Sequence, residues 1–100
     1  MTTPSKNKSS KVVGPITVGK NVLIRTVTHY TTGKIVAVGE HEILLTNAAW
    51  IADTGRWSEA LAKGTLAEVE AYPPELIVAV GRGSIVDVVE WTHELPTSTK

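Results

Sequence analysis

No Asp or Glu precedes Glu40 in this 100-residue chain, although Lys6, Lys8, Lys11, Lys20, Arg25 and Lys34 all do. From Glu40 onward ten acids face only Arg56, Lys63, Arg82 and Lys100. The formal net charge of zero therefore conceals about +6 followed by about −6. Cysteine is absent, which excludes a disulfide scaffold, a thiolate zinc site and a cysteine nucleophile. Phenylalanine is absent too, so Tyr30, Trp50, Trp57, Tyr72 and Trp91 all carry a polar handle and suit half-exposed positions and interfaces. Long apolar runs are missing: Ile77 to Val80 falls far short of the ~20 residues that cross a bilayer. Residues 1–11 have no apolar stretch of the kind a secretory signal needs. The expectation is a soluble protein with no membrane partner that stays where it is made.

What is present suits one small folded domain. The hydrophobic share of 42% is too high for disorder. Three parts are expected: an extended basic arm over 1–14, a domain over 15–96 and a short polar tail over 97–100. Asn21 to Tyr30 is rich in β-branched residues and reads as a strand. Thr31-Thr32-Gly33 reads as a hairpin loop, Lys34 to Val38 as the next strand, Gly39 to Glu42 as a polar turn, and Ile43 to Thr46 as the return. Such short links force antiparallel pairing, because parallel crossovers need many more residues. Ala48 to Ala52 either ends that third strand or caps the sheet. Trp57 to Lys63 is the one good helix candidate, with Ser58 as N-cap, Trp57 and Leu61 on one face and Gly64 as the stop. Glu75 to Val80 and Ser84 to Trp91 read as further strands, separated by a hinge or bulge at Gly81-Arg82-Gly83. The whole predicts a mainly β fold, either a small SH3/Sm-like barrel or a strongly curved antiparallel sheet, with one short helix. Barrel closure hides sheet edges economically.

Chemistry-bearing patterns are sparse. His29, His41 and His93 fit no local ligand spacing, so no metal site is expected. Asp53, Asp87, His93 and Ser58 supply the letters of a hydrolytic triad, but no Gly-x-Ser-x-Gly elbow frames a nucleophile. No catalytic residue, cofactor or small-molecule substrate is assigned. Residues 48–57 place two Trp, an Asp and an Arg within one short segment, the composition of an interface hot spot. The protein-interaction candidates are Lys6, Lys8, Lys11, Tyr30, Trp50, Asp53, Arg56, Trp57 and Arg82. Arg25, Arg56 and Arg82 are expected to pair with carboxylates such as Asp53, Asp87 or Glu90, within or between copies.

Two resemblances bear on these readings. Gly19 to Arg25 followed by Gly33 to Val38 resembles the opening of Sm-like and SH3-like small barrels. The uridine-binding positions of the Sm family have no counterpart here. Arg25 to Tyr30, Thr32 to Val38, Ala48 to Trp57 and Val80 to Asp87 look like a family of small uncharacterised bacteriophage proteins. That resemblance implies a phage or prophage setting and no chemistry. Together these readings anticipate a non-enzymatic structural or assembly protein, located in a virion or the host cytoplasm. Its partners would be itself or other virion proteins. The rival is an Sm-like nucleic-acid accessory protein, which would gather Lys6, Lys11, Lys20, Arg25 and Lys34 on one face.

Overall fold

The computed structural model describes residues 14–100; the basic arm, with Lys6, Lys8 and Lys11, lies outside the described residues. Six strands form one antiparallel sheet: β1 (Asn21–Thr26), β2 (Tyr30–Val38), β3 (Glu42–Asp53), β4 (Glu68–Ala71), β5 (Val78–Gly81) and β6 (Ile85–Glu90). A helix, α1 (Trp57–Lys63), the one α-helix among the described residues, joins β3 to β4, and a 3₁₀ turn over Arg82–Ser84 joins β5 to β6. The order across the sheet is β4-β3-β2-β1-β6, and β5 pairs with the first half of β3. β5 and β6 thus lie at opposite limits of the sheet yet follow each other in the chain. The link between them bends the sheet strongly on itself. This is the mainly β, curved architecture expected.

The first hairpin turns earlier than its sequence suggests. Thr31, Thr32 and Gly33 lie inside β2, paired with Ile24, Leu23 and Val22, and do not form the loop. The turn is made at Thr26–His29. Thr26 Oγ1 donates to His29 O at 2.9 Å and accepts from the backbone N–H of Thr28 and His29. A threonine hydroxyl therefore replaces the glycine that a hairpin usually signals. Gly33 instead serves close packing: a Cβ there would stand 3.0 Å from Leu45 Cβ.

β3 runs without a break to Asp53, so Ala48 to Ala52 end the strand. A bulge makes this run possible. Thr32 opposes Ala49 while Lys34 opposes Thr46, leaving one extra residue on β3, and Asn47 takes the left-handed φ of 50°. The extra residue reverses the alternation. Leu45 and Ala48, three apart, consequently face the same core.

Both faces of the sheet are covered. The inner core joins Val22, Ile24, Ile35, Ile43, Leu45 and Val80. The outer core joins Leu23, Ala49, Ile51, Ala60, Leu66 and Trp91. Burial on both faces explains why Val22-Leu23-Ile24 is continuously apolar. α1 lies on the outer face and buries Ala60, while Leu61, expected beside Trp57 on the packing face, is exposed. Its N-cap is Arg56 with no side-chain capping bond, not Ser58, whereas Gly64 ends it with φ of 75° as expected. Trp91 closes the outer core, its Nε1 donating to Glu94 O at 3.1 Å. The segment read as a tail is tied down: Val69 and Lys100 exchange two backbone hydrogen bonds of 2.9 Å.

Candidate interaction surface

Two groups of aromatic side chains stand out, on opposite faces of the sheet. The first is closed on itself. Arg25 opposes Tyr30 on one side and Asp87 on the other. Its guanidinium donates from Nε to Asp87 Oδ1 at 3.2 Å and from Nη2 to Oδ2 at 2.5 Å. The bond to Asp87, and then its charge, raise the Arg25 pKa above its ordinary value. The Arg25 cation lies 5.9 Å from the centre of the Trp57 ring, and Trp57 packs on Tyr30 with ring centres 5.5 Å apart. Within the chain, this cluster fastens α1 to the sheet, with Tyr30 and Trp57 packed against the outer core.

A second cross-strand pair joins Lys20 Nζ to Glu90 Oε1 at 3.3 Å. Both pairs link the acid-free first part of the chain to β6. The charge division is thus used within the fold. Such part-exposed pairs add little stability and accompany the β1–β6 ladder, where opposite charges meet across the strands.

The second aromatic group is open. Trp50 opposes Thr31 and Glu70 and points to the inner face, beyond the last residue of the inner core. It remains 40% exposed, with the His29 ring edge-on at 6.3 Å. Beside it a groove of about 280 Å³ runs between β5 and the Thr26–Thr31 turn, with His29 and Tyr72 in its walls. Among the described residues no Asp, Glu, Lys or Arg lines this groove. His29 is fixed by a 2.8 Å contact from Nδ1 to Thr28 Oγ1.

The remaining candidates are dispersed. Asp53 Oδ1 accepts from the backbone of Gly55 at 2.8 Å, shaping the turn before α1. Arg56 is exposed at the helix start. Arg82 donates from Nη1 to Gly39 O at 2.8 Å and holds the β2–β3 hairpin tip. Of the three arginines expected to meet carboxylates, Arg25 does so. Trp50 and Trp57, close in sequence, end on opposite faces because β3 alternates and then turns into a helix. Among the residues named from sequence, Trp50 alone belongs to the open group; His29 and Tyr72 join it. The visible signal for Tyr72 was its place before Pro73-Pro74, where pairing must stop. Nothing in the local sequence around His29 marks it as a groove residue. Among the described residues no three of His, Asp and Glu gather as a metal site would require, and no helix is long and apolar enough to cross a membrane.

No family model, curated protein or solved structure matches the chain.

Proposed function

We propose that this chain is a non-enzymatic structural protein that self-associates or decorates a larger, phage-type particle, in the virion or the host cytoplasm. The observation that carries this reading is the apolar rim around the open groove. Val27, Trp50, Tyr72 and Ile77 are all exposed. Each is tied to the groove: Tyr72 lines it, Trp50 stands against His29, and Ile77 precedes Val78 in its wall. The Val27 backbone donates to Ser84, another wall residue. Scattered exposed apolar residues are normal on a protein surface, whereas several gathered near one concavity mark a contact site. The rim draws on three separate loops and strands, so it exists only in the folded chain.

The nucleic-acid alternative has less behind it. Glu90 and Asp87 engage Lys20 and Arg25, two of the five cations that reading would gather. Sedimentation equilibrium at low and high salt tests the self-association reading. Species larger than a dimer are expected, and Trp50→Ser with Ile77→Ser should shift them toward monomer. A strict monomer at all concentrations would overturn self-association.

A further inference from the structure

We infer that the free edge of β5, within the open groove, receives an extended, uncharged segment of a partner protein as an added β-strand. The inference rests on the reading of the chain as an assembly protein and specifies how it would engage a partner.

Backbone alternation supplies the first argument. The backbone N–H of Arg82 donates to His41 O at 2.9 Å, so that pair is one of the hydrogen-bonded pairs of the β3–β5 ladder. In an antiparallel ladder such pairs alternate. Val80 and Val78 therefore turn their backbone groups toward β3, and Ala79 and Gly81 turn theirs away. The Gly81 carbonyl accepts from Ser84 Oγ at 2.8 Å. Left facing the groove are the N–H and C=O of Ala79 and the N–H of Gly81. Among the described residues no hydrogen bond engages them.

The second argument is what this edge lacks. Exposed edges are ordinarily protected by Lys, Pro, inward charges or bulges. β6, the other uncovered edge, has Asp87, Glu90 and a register shift at Arg25/Thr26. β4 has Lys100 paired on Val69. The β5 sequence Val-Ala-Val-Gly has none of these devices. Its two outward-bonding residues are also the smallest, and a Cβ built on Gly81 meets nothing within 4 Å.

Shape and charge define the occupant. The groove is slightly smaller than the ~300–1,000 Å³ of typical small-molecule sites. The free edge of β5 lines the groove together with His29 and Thr31 of the first hairpin and with Tyr72 of the β4–β5 link. A free strand edge of this kind is what a single extended segment pairs with. Backbone pairing would give affinity, while alternate side chains would meet the His29–Tyr72 wall. An entering Lys or Glu would lose water without meeting a counter-charge, so uncharged β-branched side chains are favoured.

The test uses the full chain and a fluorescein-labelled, end-capped peptide, Ser-Val-Thr-Val-Thr-Val-Ser. Anisotropy should show saturable binding, with amide NMR shifts concentrated at Ala79, Gly81 and His29. Ala79→Pro removes the groove-facing N–H while leaving the β3 ladder intact, because edge strands tolerate proline on their free side. It should weaken binding about tenfold or more. A peptide N-methylated at alternate amides should lose binding to the wild-type chain, a result that simple apolar contact would not produce. This second arm stands even if the proline variant fails to fold. Equal binding of the methylated peptide, or no binding up to about 1 mM, overturns the proposal. So do shifts of the Ala79 and Gly81 amides on concentrating the protein alone, which would assign the edge to a second copy. Sedimentation tests the assembly reading separately, so either can fail without the other.

Discussion

Replacing Gly64 by Ala should cost far more than its surface setting suggests. Gly64 ends α1 with φ of 75°, a region that costs a residue bearing a Cβ ~1–2 kcal/mol. A Cβ there would also lie 2.6 Å from His93 Cγ and 2.7 Å from His93 Cβ. These atoms sit near the root of the side chain, so the ring cannot simply swing aside. Displacing His93 would strain its hydrogen bond to Leu61 O, 2.8 Å long, worth ~0.5–1.5 kcal/mol. It would also disturb the edge-on contact with Trp91 at 5.0 Å, worth a similar amount. Against these losses, alanine restricts the unfolded chain and returns ~0.4–1 kcal/mol. The net is a loss of about 2–3 kcal/mol, or a Tm lower by about 10–20 °C in a domain of this size. Urea unfolding followed by tryptophan fluorescence measures it directly. The same substitution in a His93→Gly background should cost only ~1 kcal/mol, because the contacts with His93 Cγ and Cβ are then gone and the left-handed backbone remains as the main penalty. A Gly64→Ala chain within about 0.5 kcal/mol of wild type would refute this account of the helix end.

Three further outcomes follow from the packing. Thr32 is fully buried in the sheet with its Oγ1 unpartnered, so Thr32→Val should raise stability by about 1 kcal/mol, and a lower urea midpoint would contradict that. Deleting Thr97–Lys100 removes both bonds to Val69 and should speed hydrogen exchange of the Val69 amide; unchanged protection would mean that this pairing is not formed in solution. Arg25→Ala and Asp87→Ala should be non-additive in a double-mutant cycle, with coupling that weakens as salt rises; additivity at low salt would remove the pair from the account of how β6 is placed.

How far these features were legible varies with their range along the chain. The helix at Trp57–Lys63 and its glycine stop follow from neighbouring residues, and both are found where local chemistry puts them. The Thr26–His29 turn was hidden because its signal is a threonine hydroxyl, while Gly33 drew the turn to itself. Gly33 in fact answers to Leu45 on the next strand, a neighbour only in space. Trp50 and Trp57 look like one cluster in sequence, yet a strand register and a helix start send them to different faces. The groove draws its walls from Thr26–Thr31, Tyr72 and Val78–Ser84, which no local pattern unites.

By itself the sequence determined the β-rich class, the single short helix, the absence of cysteine chemistry and the division of charge. Each is a property of composition or of residues a few positions apart, where propensity and periodicity act. Which cation meets which acid was decided only by the tertiary fold. Arg25 finds Asp87, and Lys20 finds Glu90, because β6 returns across the whole chain to lie beside β1. The same closure sets β5 at the open groove with one edge unpaired. Both depend on sheet curvature, which arises from a bulge at Asn47 and from two cores packing against opposite faces at once.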